Sequence, residues 1–266
     1  MTVGNRPADG GFLIIEQEDY DDFIAKEPDA VPFIKKFVGA AEFINNKKRY
    51  CLWLVDASPA QMRKMPLVMK RIEGCKQDRL NAPDKGRQQL ADTPHLFREQ
   101  LNPEHYLIIP RVSSERRAYV PIGYMDKNTI PSDAVHIIPS ASLYHFGVLT
   151  SWVHMAWMRA VCGRLETRYR YSKDVVYNNF PWPEADASAV AAISETAQAI
   201  LDARAAYPDS SLADLYDDTL MPPALRRAHR NNDRAVLRAY GFPTNDSFTE
   251  SDCVARLFQL YADWGK

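Results

Sequence analysis

Apolar positions recur along this chain in two rhythms. Short apolar runs bounded by charge, serine or proline read as strands: Phe12 to Ile15, the RYCLWLV of residues 49–55, Tyr106 to Pro110, Ala118 to Ile122 and Val135 to Ile138. Spacings of three and four predict helices instead. One begins near Pro32 and runs through Phe33, Ile34, Phe37, Val38, Ala41 and Ile44. A second, basic one spans Ala60 to Leu80 with Met62, Met65, Leu67, Val68 and Ile72 inward, and Pro66 breaks or kinks it. The longest apolar segment, Ser142 to Cys162, repeats Leu143, Phe146, Leu149, Trp152, Val153, Ala156, Trp157 and Ala160, and is expected to be one central helix. After Pro183 the composition turns to alanine and acid. Four helices are expected there, Ala189 to Tyr207, Ser211 to Tyr216, Pro223 to Tyr240 and Ser251 to Trp264, with Gly241 and Pro243 closing the third. The pattern predicts an α+β fold. A mixed or antiparallel sheet packed with helices fills residues 1–183, and a small all-α bundle fills residues 184–266.

Polar residues gather at three places within this pattern. In GRLETRYRYSKDVVYNNFPWP, from Gly163 to Pro183, an extended backbone would put Glu166, Arg168 and Arg170 on one face, opposite Leu165, Thr167, Tyr169 and Tyr171. Arginine can donate two hydrogen bonds to guanine and glutamate can accept from the amino group of cytosine, so the row could read bases. Spacing alone equally allows a solvated strand face laced by salt bridges. Between the apolar runs of HYLIIPRVSSERRAYVPIGY, Ser113, Ser114, Glu115, Arg116 and Arg117 are expected at a hairpin tip or strand end, where hydroxyls and guanidinium groups suit phosphates and base edges. Ser132 and Asp133 make a similar, shorter polar edge. Trp53, Tyr177, Phe180 and Trp182 are expected to pack.

Charge sharpens the division of labour. The 266 residues carry a net charge of −1, but residues 47–87 hold 11 Lys and Arg against 4 Asp and Glu, whereas residues 184–266 hold 8 against 13. Phosphate contacts need local positive charge, so Arg63, Lys64, Lys70, Arg71, Lys76 and Arg79 are candidates for a DNA backbone, beside the alternative of a solvated lysine-rich helix. A second basic run, Arg226, Arg227, His229, Arg230 and Arg234, has the same two readings. Cys51, Cys75, Cys162 and Cys253 form no C-x-x-C pair, and the histidines lack ligand spacing, so buried thiols and no metal site are expected. The absence of a signal-like N-terminus and of a bilayer-length apolar run points to a cytoplasmic protein without a membrane partner. Catalytic motifs are missing too: no two glycines fall in G-x-G spacing, and Asn178-Asn179-Phe180-Pro181 has the wrong order for an N-P-P-aromatic motif.

The words RYCLWLVD, RVSSERRAYVPIGY, YHFGVLTSWVHMAWMRAVCGRLETRYRYS, VYNNFPWP, ILDARAAYPDSSLADLYD and MPPALRRAHRNNDRAV occur here in order. This series resembles the C-terminal half of the large single-chain DNA methyltransferases of the MmeI-like restriction-modification type, covering their target recognition domain and helical tail from near Gly10 to the last helix. The resemblance implies sequence-specific recognition of double-stranded DNA. Glu166, Arg168 and Arg170 would be the principal readers, with Glu115, Arg116, Arg117, Ser114 and Asp133 beside them and Ser113 with the basic segment on phosphates. It also implies an upstream domain of the same polypeptide that binds S-adenosylmethionine and methylates adenine, so that this chain needs no cofactor of its own. A module that docks on a catalytic subunit without touching DNA is the alternative favoured by the acidic tail and near-zero net charge.

Overall fold

The computed structural model describes residues 1–264, which divide into two compact units. One holds Val3–Glu104 and Met125–Ile137; the other holds Met1–Thr2, His105–Tyr124 and the chain from Ile138 on. The fold is α+β, with open mixed and antiparallel sheets and a helical C-terminal region.

The unit built on Val3–Glu104 centres on a four-stranded sheet in the order Ile14–Glu16, Arg49–Leu52, Ile34–Val38, Thr129–Pro131. Its first three strands are antiparallel and the last pairs parallel to Ile34–Val38. The β-rich run at Arg49 forms the expected buried strand, and Trp53 is core. The helix expected from Pro32 to Ile44 does not form. Pro28–Phe33 is a tight 3-10 turn, Ile34–Val38 is a strand, and only Ala40–Asn45 is α-helical. Pro32 and Gly39 bracket a segment with neighbours on both edges, and ladder hydrogen bonds outweigh a weak helical spacing. The basic helix is broken as expected, into Pro59–Arg63 and Pro66–Leu80.

Thr2–Val3, His105–Pro110, Gly123–Asp126 and Val135–Pro139 are further strands. Ala118 to Ile122, expected as a strand, is irregular, and Gly123–Asp126 takes its place. The core of the second unit takes Leu107, Ile109 and Ile138 together with residues of the helices that follow. Ser142 to Cys162 is two helices rather than one, Leu143–Leu149 and Trp152–Val161. Ser151 makes the break: its hydroxyl accepts from the His154 backbone N–H, capping the second helix and satisfying one of the N–H groups left free where the chain restarts.

The C-terminal helices, Ala187–Ala205, Leu212–Leu215, Pro223–Ala239 and Glu250–Trp264, follow the predicted pattern to within two residues. Gly147 lets Leu143–Leu149 approach Ala187–Ala205 closely; a Cβ there would stand 2.6 Å from Ile193. Gly241, at φ +66°, ends Pro223–Ala239 in the left-handed conformation that glycine adopts at low cost. Two buried polar groups of this region are paired: Asn232 donates to the Gly147 carbonyl at 2.8 Å, and Asp233 accepts from the Tyr119 hydroxyl at 2.6 Å and the Trp152 backbone N–H at 2.7 Å. The VYNNFPWP junction packs as expected, with Phe180 buried and Trp182 half-buried against it.

Candidate nucleic-acid interface

The Gly163 segment is a hairpin. Gly163–Leu165 pairs antiparallel with Arg168–Arg170, in the register Gly163 to Arg170, Arg164 to Tyr169 and Leu165 to Arg168. The second strand pairs in turn with Val112–Ser113, so a three-stranded sheet joins two of the polar places that lie some fifty residues apart in sequence. Glu166 and Thr167 form the two-residue turn, and Glu166 sits at φ +57°. The expected extended row of three is therefore corrected: Glu166 leaves it for the turn, while Arg168 and Arg170 stay on one strand face. Reversal at the turn also brings Leu165 onto that face, 43% exposed, directly opposite Arg168.

The two faces of this sheet differ sharply. Tyr169 and Ser113 pair on the inner face and are buried, and Tyr171 beyond them is buried with its hydroxyl 2.9 Å from His154 Nε2. Burying each tyrosine ring contributes on the order of 2 kcal/mol and seats the hairpin on the core. Arg168 and Arg170 are exposed on the outer face, beside Gly163, which adds no side chain. Arg168 Nη2 donates to Glu166 Oε2 at 2.8 Å. Such an exposed ion pair is worth about 0–1 kcal/mol, so both groups can exchange it for another partner at little cost.

Two residues missed by the sequence reading hold the hairpin tip. Arg164 lies with its guanidinium carbon 4.0 Å from the centre of the Tyr169 ring and donates to the Thr167 carbonyl at 3.1 Å. The pairing of Val112–Ser113 with Arg168–Arg170 brings the Ser114 to Arg117 loop back beside the hairpin. The Glu115 carboxyl is held below the usual carboxylate range, first by its own backbone N–H and then by Thr167, Arg116 and Arg164. No local signal announces this arrangement: the turn lacks Asn-Gly or Asp-Gly, and the stacking partner of Arg164 is set by strand register.

The remaining candidates separate. Ser114 accepts from the Arg116 backbone N–H at 3.2 Å, and Arg116 is exposed. Arg117 is half-buried, and desolvation lowers its guanidinium from the usual range against the pull of Asp217. Ser113, proposed for phosphate, is buried and therefore not presented at a surface. In the other unit Asp133 accepts from Arg6 Nε at 2.9 Å. Arg63, Lys64, Lys70 and Lys76 are exposed. Arg79 corrects the sequence reading outright. It is fully buried, and its five N–H groups all meet backbone carbonyls, those of Pro7, Ala8, Leu90, Thr93 and Leu96, at 2.7 to 3.1 Å. Arg71 is also largely committed, donating to the Phe12 and Ile14 carbonyls and lying over the Phe23 ring.

Among the described residues no group of three or more His, Cys, Asp and Glu is placed to hold a metal ion, and no helix is long and apolar enough to cross a membrane. Cys51, Cys75 and Cys253 are buried free thiols and Cys162 is half-buried.

The family model described as "MmeI, target recognition domain" matches residues 1–184, and "MmeI, C-terminal domain" matches residues 185–266. The chain belongs to the MmeI target recognition domain family. "DNA methyltransferase A" of Bacillus subtilis (strain 168) is 43% identical over 241 residues, which is 90% of this chain and 27% of that protein. The solved structure of the Type IIL restriction-modification enzyme MmeI in complex with DNA matches with a TM-score of 0.95 at 44% identity. That match covers 99% of this chain and 35% of the solved one. The chain thus spans about a third or less of the length of these relatives.

Proposed function

We propose that this chain is the sequence-reading part of an S-adenosylmethionine-dependent DNA adenine-N6 methyltransferase of restriction-modification type, acting in the cytoplasm. Residues 1–183 form the recognition domain and residues 184–266 the helical C-terminal domain. The methyl donor and the methylation chemistry belong to an upstream domain of the same polypeptide, and this chain alone transfers no methyl group. One observation carries the reading: an exposed hairpin tip places the Glu166 carboxylate 2.8 Å from the Arg168 guanidinium, with Arg170 two residues on along the same face. A guanine–cytosine pair in the major groove offers two acceptors on guanine and one donor on cytosine. Arg168 and Glu166 together supply the complementary donors and acceptor, so the pair reads one base pair between them. Glu115, Arg116, Arg117 and Ser114 flank the tip as further readers, Asp133 is a reader carried by the other unit, and Arg63, Lys64, Lys70 and Lys76 track phosphates.

The test exchanges donor and acceptor. In the enzyme with its catalytic half present, E166R combined with R168E keeps an ion pair at the tip while reversing its polarity. Mapping methylated sites by sequencing should show one base-pair position changed and the others retained. Each good bidentate contact is worth roughly 1–3 kcal/mol of discrimination, enough to move that position clearly. An unchanged methylated sequence would remove Glu166 and Arg168 from base reading.

A further inference from the structure

The basic run of the C-terminal domain sorts itself once the helix is folded. Pro223–Ala239 turns His229, Asn232 and Asp233 inward, all buried. Arg226 is half-buried and donates to the Asp218 carbonyl at 2.8 Å. Arg227, Arg230, Arg234 and Arg238 remain, spaced by three, four and four residues, and all are exposed. At about 100° per residue these four fall within a single arc of roughly 80°, and at 1.5 Å per residue they extend over about 16 Å. Among the described residues none of the four has a carboxylate at ion-pair distance. The only acid of the helix, Asp233, is buried and hydrogen-bonded to Tyr119 and Trp152, and of the four arginines Arg230 acts on its charge. A cavity of about 570 Å³ opens beside the middle of the row, where Arg230 and Arg234 meet Trp152, Asp233, Asn245, Asp246 and Phe248.

An isolated arginine is an ordinary solvated group. Four on one face of a rigid seventeen-residue helix, without compensating acid in the row, are a fixed line of charge in a domain whose overall balance is acidic. We infer that Arg227, Arg230, Arg234 and Arg238 form a second phosphodiester-binding surface, on the C-terminal domain, that grips the backbone of duplex DNA without reading its sequence. This rests on the DNA-reading function proposed above. Duplex DNA carries one charge per about 1.7 Å of axis, so a row of this length meets several phosphates at once. Guanidinium groups bind phosphate oxygens bidentately, and Asn245 at the cavity can donate a further hydrogen bond.

The experiment uses the full-length protein and a duplex containing its target sequence, with binding measured over a salt series for the wild type, R230Q/R234Q and R230K/R234K. Loss of two phosphate contacts should make the slope of log K against log salt shallower by about 2, lower affinity for every sequence alike, and leave the preferred sequence unchanged. The lysine variant should recover most of the slope, because it restores the charge. A folded R230Q/R234Q protein with the wild-type slope overturns the inference. So does binding of inorganic phosphate at these arginines with the duplex slope intact, which would mark a free-anion site, or loss of an acidic protein partner with the slope intact. Failure of the recognition reading looks different: the wild type itself would then prefer no duplex sequence.

Discussion

Two arginine-bearing helices of this molecule put the same side chain to opposite uses. In Pro66–Leu80 the buried stripe runs Val68, Ile72, Cys75, Arg79, so the last arginine falls in phase with the apolar positions and enters the interior. There it finds five carbonyl oxygens and no carboxylate. In Pro223–Ala239 the inward polar positions are taken by His229, Asn232 and Asp233, and the arginines fall in phase with solvent. Counting cations therefore says little about nucleic acid. What decides is the angular position of each guanidinium relative to the apolar stripe, together with the backbone acceptors within its reach. By this criterion the segment richest in lysine and arginine loses its most buried member to structure, while the acidic tail keeps an ordered cationic row.

The largest effect expected from this contrast is at Arg79. Arg79→Met should lower stability by roughly 4 kcal/mol, because five part-buried carbonyls lose their donor at once, and the midpoint of chemical denaturation reads this directly. Arg79→Lys should recover only part of the loss, since an ammonium has three donors and no planar fork. A loss below about 1 kcal/mol would erase the distinction between the two helices.

The second test concerns the inward groups of Pro223–Ala239. Burial pushes the Asp233 carboxyl up to about 6, with the Tyr119 and Trp152 hydrogen bonds and Arg230 opposing. A raised carboxyl binds its proton more readily in the native state, so this group adds stability as pH falls from about 6 toward 4, on the order of 3 kcal/mol. Buried histidines act with the opposite sign. Burial lowers His154 to about 3, and burial followed by the Arg204 charge lowers His229, so their contributions are present above pH 6.5 and are lost on acidification. Asp233→Asn removes the compensating group. Denaturation at pH 7 and pH 4.5 should show a variant at least as stable as the wild type at pH 7 and a larger drop between the two. An equal drop would place the Asp233 carboxyl near its ordinary range.

Smaller effects mark the boundary cases. Arg71→Gln should cost about 1–2 kcal/mol, from two hydrogen bonds to carbonyls and the contact with the Phe23 ring. R230Q/R234Q should change thermal stability by less than about 0.5 kcal/mol, because both side chains are exposed. A clear destabilisation by the latter pair would show that the outward row serves the fold after all.

Much of the architecture was legible along the chain. The strand at Arg49, the break at Pro66 and the four C-terminal helices rest on local signals strong enough to survive folding: dense β-formers, proline geometry, serine caps and a terminal glycine. Failures occur where two local readings compete. Phe33 to Ile44 has helical spacing, but its Ile34–Val38 part forms a strand, because neighbouring strands on both edges supply ladder hydrogen bonds. Ser142 to Cys162 keeps its inward face while Ser151 caps a new helix within it. At the candidate site, residue types pointed to the right segment and missed its shape. Glu166 adopts a left-handed turn without the glycine or asparagine that usually announces one. Arg164 passed unnoticed because its partners, the Tyr169 ring and the Thr167 carbonyl, are set by the register of the hairpin.

Periodicity, capping residues and the ordered family words are properties of neighbouring positions, so the chain alone determined its fold class, its helical tail and its membership of a recognition-domain family. Which charged groups reach solvent, which pair with one another and which vanish into the interior depends on strand register and on carbonyls supplied from far along the chain. Only the folded structure decided that Arg79 is a buried staple, that Glu166 and Arg168 share a hairpin tip, and that four arginines of an acidic domain stand in line. Burial and pairing are long-range outcomes, and a cation's identity in sequence carries no information about either.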